Sequence, residues 1–413
     1  MLTKEQNDEL TQVGPGKPMG ELLRHYWYPV AFSADLPLGH TKGVRLLGEN
    51  FTIYRDGEGT LGMIDELCPH RMASMTYGIV EKCGLRCAYH GWLFDETGAC
   101  IDQPAEPDSS QFKDRVTVGA YPVEEMGGLL WTYIGREPVP YLPRFDVYVM
   151  DGVRDCGWAE IPCNWLQVME NSVDPHHVEW LHGYYFEYLG NKEGFEAPKA
   201  FQKKHEKVAF DEFEYGIIKR RLLEGQSEED DDWKVGHPLM FPYGMRVGGA
   251  GNDQMQIRVP IDDTHTWIAF YSCHHPGEDH PVDDPNEVTA YELPWKRDDG
   301  TIVTDYIEGQ DIMAWVTQGP VTDRTREHIG KSDLGVVKLR RMFKEQLARV
   351  AAGEDPIGVE REPHEIIELP CEKNKFGAGG GFATAWLEMG SSRYSPQLDR
   401  LRGIYQNAFQ AAS

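Results

Sequence analysis

The sequence predicts an α+β protein in which an all-β domain precedes a larger domain of antiparallel sheet and helices. Short strand candidates separated by turn residues fill the stretch from Val44 to about Ile134. A second β-rich region follows between Phe213 and Cys273, and apolar residues recur at helical spacing between Asp333 and Ala352. The expected organisation is an N-terminal arm in residues 1–43, an all-β domain in 44–145, and a mixed domain in 146–413 with which the arm associates.

In the first region, Leu46–Tyr54 and Gly62–Leu67 are predicted strands, and Asp56–Gly59 is the hairpin turn between them. The segments Trp92–Phe94 and Leu129–Ile134 continue the strand pattern. Proline-rich sequence at Pro138–Pro143 then predicts a linker.

The second region begins with a helical pattern that runs for about twenty residues after Cys163. Leu398, Leu401 and Tyr405 predict a short helix near the C-terminus. The strand candidates between these helices are Phe213–Leu222, Leu239–Val247, Gln254–Val259 and Thr264–Cys273.

Composition excludes several classes of protein. With 413 residues and 40% hydrophobic residues, the chain can bury substantial cores. A net charge of −26 would repel nucleic acid. No secretion signal and no apolar run of membrane-spanning length are found, so we expect no membrane partner and a cytoplasmic location.

Two cysteine–histidine pairs form the first candidate metal site. Cys68 and His70 are separated by one residue, and Cys87 and His90 follow after sixteen intervening residues. By ligand type alone, zinc in a Cys₂His₂ site stays open. Each of the two pairs supplies one cysteine and one histidine, however. This mixture suits a [2Fe–2S] cluster with two cysteines on one iron and two histidines on the other.

A second candidate site lies in the helical stretch after Cys163. Its pattern is Glu170-x3-Asp174-x2-His177-x4-His182. On a regular α-helix, residues five apart are about 140° out of phase. If His177 and His182 bind one metal, the helix must therefore distort or end between them, and Pro175 and Gly183 would assist.

Together these motifs resemble the Rieske non-haem iron aromatic oxygenases. The first matches the C-x-H, C-x-x-H pattern of the Rieske domain, including the flanking Arg71 and Gly91–Trp92, and the second matches the E/D-x3-D-x2-H-x4-H pattern of the catalytic domain. The resemblance implies a Rieske [2Fe–2S] domain followed by a helix-grip catalytic domain. It also implies a [2Fe–2S] cluster on the first motif and a mononuclear non-haem Fe(II), with O₂ as cosubstrate, on His177, His182 and a carboxylate.

The carboxylate comes from a C-terminal segment similar to that of phthalate dioxygenase-type enzymes. That segment points to Asp311 as the ligand, with Asp323 as second choice. The same resemblance makes Asp174 a bridge to His90 of the partner subunit for electron transfer, which implies a homotrimer. It adds Glu170 and Asn171 as candidate catalytic residues.

Over its length the chain resembles the phthalate dioxygenase-type and 5,5′-dehydrodivanillate O-demethylase-like branch. Residues Met169–Pro175 depart from the Glu-Gly-Gly-Ile-Asp type of the phthalate enzymes and look more like the O-demethylases. This branch implies a terminal oxygenase that O-demethylates a methoxylated lignin-derived aromatic acid. Alternatives are cis-dihydroxylation of an aromatic carboxylate such as phthalate, and a non-catalytic Rieske electron carrier. The sequence contains no convincing flavin or nicotinamide motif, so electrons should come from a separate reductase, ferredoxin or both.

An aromatic acid requires a cation in the substrate pocket. Arg246 and Arg258 lie at the polar positions of two strand candidates and could bind the carboxylate in a bidentate manner. The alternative is that both arginines face solvent.

Overall fold

The computed structural model describes residues 1–411 and arranges them as four β-sheets with surrounding helices. The strands are β1 (Trp27–Phe32), β2 (His40–Leu46), β3 (Glu49–Arg55), β4 (Leu61–Asp65), β5 (Ile79–Val80), β6 (Leu85–Arg86), β7 (Leu93–Phe94), β8 (Cys100–Asp102), β9 (Ala120–Tyr121), β10 (Val123–Met126), β11 (Leu129–Tyr133), β12 (Val153–Ile161), β13 (His205–Phe213), β14 (Gly216–Leu223), β15 (His237–Met240), β16 (Gly244–Gly249), β17 (Asn252–Pro260), β18 (Thr266–His274) and β19 (Thr289–Glu292). The α-helices are α1 (Lys4–Thr11), α2 (Pro18–Leu23), α3 (Asp146–Val149), α4 (Trp165–Val173), α5 (Phe186–Glu193), α6 (Asp231–Lys234), α7 (Ile307–Val316), α8 (Leu334–Ala351), α9 (Gly380–Met389) and α10 (Leu398–Ala411). A π-helical segment spans Val178–Tyr185.

The N-terminal β region consists of three small sheets, ordered β2-β3-β4-β9, β5-β6-β7-β8 and β1-β11-β10. The predicted turn at Asp56–Gly59 is confirmed: the Asp56 carboxylate accepts the backbone N–H groups of Glu58 and Thr60. Strand β1 pairs with β11, although it belongs to the stretch expected to be an arm. The expected boundary after residue 43 falls inside β2, so the β region extends further towards the N-terminus than predicted.

Two predicted strands are each divided in the structure. The predicted strand Leu46–Tyr54 begins at the end of β2, and Leu47 and Gly48 turn the chain with positive φ before β3. The predicted strand Leu239–Val247 becomes β15 and β16. Pro242 lies between them and lacks the N–H that a ladder position requires.

The larger domain is built on one eight-stranded sheet, ordered β13-β14-β15-β16-β17-β18-β12-β19. It is antiparallel except for the parallel pair β12–β19, an exception to the expected antiparallel sheet. Side chains alternate between the two faces of each strand. On β17, Gln256 lies on the face that carries the candidate metal site, whereas Met255 and Ile257 face an aromatic cluster that includes Trp27, Trp131 and Tyr148.

The helices predicted from apolar spacing are present with small changes at their ends. The helix expected over 333–352 is α8, and the expected C-terminal helix is α10. Buried residues of α4 and α8 pack together, with Trp165 edge-on to Phe343 at a ring-centroid distance of 5.2 Å. Within residues 1–411, no helix is both long and apolar enough to cross a membrane.

Candidate metal centres

The two cysteine–histidine pairs lie on two loops of similar construction. In the first, the Cys68 N–H donates to the Ala73 carbonyl and the Met72 N–H donates to the Cys68 carbonyl. In the second, the Cys87 N–H donates to the Trp92 carbonyl and the Gly91 N–H donates to the Cys87 carbonyl. The fourth residue after each cysteine has a positive φ, 58° at Met72 and 76° at Gly91, so both loops reverse at the same place.

The loops bring all four predicted ligands together. The Cys68 and Cys87 side chains are buried next to each other, and burial is the main cause that raises the pKa of Cys68 to about 11. The His70 and His90 rings lie 4.5 Å apart nearer the surface, and His70 stacks on Trp92 at 4.4 Å. Paired inner thiols and paired outer imidazoles fit a cluster with two cysteines on one iron and two histidines on the other.

The second site depends on a change of helix type after α4. Helix α4 ends at Val173, and the chain turns at Asp174–Pro175 before the π-helical segment Val178–Tyr185. A π-helix bonds residue i to i+5, so residues five apart come onto one face. This explains how His177 and His182 converge, with ring centroids 5.3 Å apart. The helix distorts, as expected, but it does not end at Gly183.

Helix α7 supplies the carboxylate. Asp311 Oδ1 lies 3.3 Å from His182 Nε2 and 3.7 Å from His177 Nε2, and one donor atom of each residue lies within 4.8 Å of the other two. Burial opposes charge on this pair. The mutual attraction of His182 and Asp311 nevertheless raises the pKa of His182 and lowers that of Asp311. Two imidazoles and one carboxylate at this spacing fit a 2-His-1-carboxylate iron centre.

The other acidic candidates lie elsewhere. The second choice, Asp323, is exposed and accepts the Thr325 N–H and hydroxyl, and it is not among the three residues whose donor atoms converge. Asp305 pairs with Arg393. Glu308 is fully buried, and burial raises its pKa to about 7, but it does not line the cavity beside the histidines.

The three predicted catalytic residues have different surroundings. Asn171 lines the cavity beside the two histidines. Asp174 accepts the N–H groups of His176 and His177 and lies 3.6 Å from His177 Nδ1. Burial opposes its ionisation, but these neighbours hold the pKa of Asp174 at about 2.

The prediction of a catalytic role for Glu170 requires correction. Its carboxylate is buried and is bound by the guanidinium groups of Arg324 and Arg340. Both of its oxygens are used in joining α4 to α8 and to the loop after α7. Glu170 therefore faces away from the cavity and holds helices together.

The cavity beside the histidines has a volume of about 60 Å³ and a floor of alternating strand residues. Lys219 and Arg221 lie two apart on β14, and His237 on β15 is the register partner of Lys219. On the next two strands, Met245 is the register partner of Gln256. Apolar side chains from the helices and loops complete the lining: Val178, Phe201, Ile307, Phe376 and Trp386.

Lys219 differs from the other cations of this floor. Arg221 pairs with Asp232 at 3.1 Å and with Glu372 at 3.2 Å, and Lys375 also contacts Glu372. The Lys219 ammonium instead donates to the Ser172 carbonyl at 2.8 Å, and it forms no ion pair with any residue in 1–411. Burial lowers the pKa of Lys219 to about 7.

The sequence contained a signal for this floor that the prediction missed. One side of β14 carries Ile217, Lys219 and Arg221. On a strand side that packs against the core, apolar residues would be expected at all three positions. Charged residues at core-facing positions of a strand indicate a polar cavity.

Of the two predicted substrate arginines, the structure corrects the prediction for Arg246, and that for Arg258 stays a prediction. Both are buried, at 2% exposure, so neither faces solvent. Arg246 lies on the opposite face of the sheet and pairs with Asp253 at 3.1 Å and Asp146 at 3.4 Å. Arg258 shares the face of the cavity, but it donates to Gln256 Oε1 at 2.6 Å and does not line the cavity itself.

Comparison with known proteins finds two matching domain families and full-length relatives. Residues 26–122 match the Rieske [2Fe-2S] domain family, and residues 296–370 match the family described as LigXa C-terminal domain like. The 5,5′-dehydrodivanillate O-demethylase oxygenase subunit of Sphingobium sp. is 40% identical over 90% of this chain and 87% of its own length. The phthalate 4,5-dioxygenase oxygenase subunit of Pseudomonas putida is 32% identical over 87% of this chain and 89% of its own length.

The fold also matches a solved structure. A carbazole-bound oxygenase variant in complex with the ferredoxin of carbazole 1,9a-dioxygenase superposes with a TM-score of 0.59. The match covers 88% of this chain and 100% of that chain, at 19% sequence identity. At this identity the likeness shows a shared α+β fold.

Proposed function

The chain belongs to the Rieske non-haem iron oxygenases as their terminal oxygenase component, and on that premise we propose that it removes the methyl group of a methoxylated, lignin-derived aromatic acid. The similarity to an O-demethylase subunit over 90% of the chain supports the reaction type. The cation-lined cavity beside His177, His182 and Asp311 supports the substrate class. A non-catalytic electron carrier is set aside, because the relatives that match nearly the whole chain are oxygenase subunits.

The proposed ligands are Cys68, His70, Cys87 and His90 for the [2Fe–2S] cluster, and His177, His182 and Asp311 for the mononuclear iron. The cluster supplies single electrons, and an iron held by two histidines and one carboxylate keeps positions open for O₂ and substrate. The protein's own part is to hold the substrate beside that iron and to limit the access of water. Asn171 lines the same cavity and is proposed to contact the substrate there.

Lys219 is the observation that carries the substrate class. Arg221 and Lys375 already have Asp232 and Glu372 as partners, so their charges are balanced within the protein. Lys219 lacks such a carboxylate partner, and a buried unpaired ammonium is costly. A substrate carboxylate would supply the missing negative charge and would be held strongly in this dry site.

The remaining walls favour an aromatic ring. The apolar residues that line the same cavity as the cation and the histidines are Met245, Val247, Ile307, Phe376 and Trp386. A ring bound against them with its carboxylate at Lys219 would direct a methoxy group towards His177 and His182.

Hydroxylation of that methyl carbon gives a hemiacetal, which releases formaldehyde and leaves a phenol. One oxygen atom of O₂ enters the methyl carbon, and the other leaves as water after the reductase has supplied two electrons and the solvent two protons.

The reaction can be tested by its products. Purified protein with a surrogate reductase should convert methoxylated benzoates to the phenol with one formaldehyde for each substrate consumed. The phthalate dioxygenase relative favours a second candidate, cis-dihydroxylation of an aromatic carboxylate. A cis-diol without formaldehyde would establish that alternative, and turnover of neither substrate class would contradict the proposed substrate class.

The substrate cation can be tested by substitution. Lys219→Met should weaken binding of an aromatic acid at least about tenfold, the effect of losing about 1.4 kcal/mol, and should leave binding of the corresponding amide unchanged. Lys338→Met is the matched control, because Lys338 also donates to a backbone carbonyl, that of Phe210, but lies outside the cavity. Equal losses for acid and amide would disprove the carboxylate contact.

We also propose that the chain acts as a homotrimer in which Asp174 passes electrons between subunits. Trp180, Tyr184 and Tyr188 are four residues apart and expose 68%, 42% and 61% of their surface just after Asp174. The loops of the first site expose Met72 and Tyr89. Exposed aromatic groups of this size mark interaction surfaces, and the two surfaces would place the outer histidines of one copy beside Asp174 of the next.

The electron source is proposed to be a separate reductase, a ferredoxin or both. A related fold has been solved in complex with its ferredoxin, which supports a protein partner of this kind. None of the eight cysteines forms a disulfide, which supports the proposed cytoplasmic location because disulfides are rare in that compartment.

A further inference from the structure

Helix α7 places two neighbouring side chains on His182. Asp311 approaches Nε2 of the ring at 3.3 Å, and Gln310 Oε1 lies 2.9 Å from Nδ1 on the other side. Gln310 is fully buried and His182 is 4% exposed, so water does not compete for this hydrogen bond. The ring is thus held on both of its nitrogens by consecutive residues of one helix.

The direction of the hydrogen bond follows from the other end of Gln310. Its amide Nε2 donates to the Thr304 carbonyl at 3.1 Å. The reverse orientation would set the amide oxygen against the carbonyl oxygen of Thr304, two acceptors in contact. Gln310 Oε1 must therefore face His182, and because it can only accept, His182 Nδ1 must carry the proton. Nε2, on the side of Asp311, is then the nitrogen whose lone pair is available to a metal ion.

We propose that Gln310 is a positioning residue that fixes the tautomer and the ring angle of His182 so that Nε2 binds the iron. The inference rests on the proposed iron site. A hydrogen-bond acceptor behind a ligating imidazole orients the ring and strengthens its donation to the metal. Among residues 1–411, His177 Nδ1 has no hydrogen-bond partner, since Asp174 Oδ2 is 3.6 Å away. Nδ1 of His182 thus faces a neutral amide oxygen, whereas Nδ1 of His177 faces the Asp174 carboxylate.

The test compares two substitutions of similar size in the full-length chain, carrying its cluster but depleted of mononuclear iron. Gln310→Met removes the acceptor, and Gln310→Glu keeps it. Fe(II) affinity is measured by competition with a chromogenic chelator, and the absorption bands of Co(II) bound in place of iron report the ligand geometry. Gln310→Met should bind Fe(II) 10–100-fold more weakly, the usual effect of losing such a partner, and should shift the Co(II) bands.

Gln310→Glu should bind Fe(II) at least as tightly as the wild type and keep the Co(II) spectrum, because a protonated carboxyl in this buried place can donate to the Thr304 carbonyl and still accept from His182. Gln346→Met is the matched control: this buried glutamine of α8 accepts the Ile357 N–H at 3.0 Å, away from both sites, and its loss should not change the iron affinity. Wild-type affinity in Gln310→Met, or weakened affinity in Gln310→Glu, would overturn the inference. If Gln310→Met does not fold, the Fe(II) affinity of Gln310→Glu tests the inference: wild-type or tighter binding supports it, and weaker binding overturns it.

His182→Ala separates this inference from the iron site on which it rests. Loss of Fe(II) binding in His182→Ala together with unchanged affinity in Gln310→Met would reject only the role of Gln310. Wild-type Fe(II) affinity in His182→Ala would reject the proposed iron site itself, and with it the positioning role.

Discussion

Lys219 makes substrate binding dependent on pH. Burial lowers the pKa of its ammonium from 10.5 to about 7, so the cation predominates below that pH and is lost as the pH rises through it. Binding of an aromatic acid should therefore be strongest below pH 7 and weaken as the pH rises. KM for the acid should rise above pH 7 in the wild type, whereas KM for its amide should stay constant.

Lys219→Arg provides the control for that profile, because an arginine side chain keeps its charge throughout this range. An upward trend of KM with the same midpoint in Lys219→Arg would assign the titration to another group. The comparison thus separates a rise in KM caused by deprotonation of Lys219 from a general loss of activity at high pH.

Glu170 illustrates how a residue of a recognised motif can serve stability. Glu170→Gln leaves buried Arg324 without a carboxylate partner, whereas Arg340 keeps Glu327, and removing one partner of a buried ion pair costs about 3–5 kcal/mol. We expect a loss of that size in the free energy of unfolding, measured with denaturant, while the folded fraction keeps its mononuclear iron.

The matched control is Glu345→Gln on the exposed side of α8. Glu345 pairs with Arg341 at 3.3 Å and is half exposed, so its loss should cost less than about 1 kcal/mol. Unchanged stability in Glu170→Gln combined with lost turnover would favour the catalytic role that the motif suggested.

At the scale of elements, the π-helical segment determines whether two histidines five residues apart can share a metal. Gly183 lies inside it, and a Cβ there would come within 2.9 Å of the Phe201 carbonyl oxygen. Gly183→Ala should therefore push the segment away from residues 199–202. We expect a loss of roughly 1–3 kcal/mol in stability and reduced mononuclear iron content, with the cluster absorption unchanged.

Gly381→Ala is the corresponding control in α9, where a Cβ would meet nothing within 4 Å. Alanine favours a helix over glycine by up to about 1 kcal/mol, so this variant should be neutral or slightly more stable. Full iron content in Gly183→Ala would show that the contact with residues 199–202 does not hold the ligands in place.

At the scale of the whole molecule, the proposed bridge through Asp174 predicts that subunits complement one another. Cys87→Ser, which lacks the cluster, and His182→Ala, which lacks the iron, should each be inactive alone. Co-expressed mixtures should regain turnover, because an intact cluster of one subunit can then serve the intact iron of its neighbour. Inactive mixed oligomers, with assembly verified by light scattering, would place electron transfer within one chain.

The sequence by itself determined the α+β fold and the two ligand motifs, because short-range spacing is enough to define paired loops and a metal-binding helix. Through resemblance to a family, it also named Asp311 as the carboxylate ligand. The structure brings Asp311 to His177 and His182. The sequence also predicted that the helix between His177 and His182 must change, since their spacing does not suit a regular α-helix.

Only the tertiary structure decided which charges meet the cavity. Arg246 and Lys219 both occupy buried strand positions, yet the pairing of strands turns one towards Asp146 and Asp253 and the other towards the histidines. Glu170 lies in the motif but is taken up by two arginines that are distant in sequence. Sheet register and long-range ion pairing are set by contacts across the whole chain, so no local pattern could have assigned these roles.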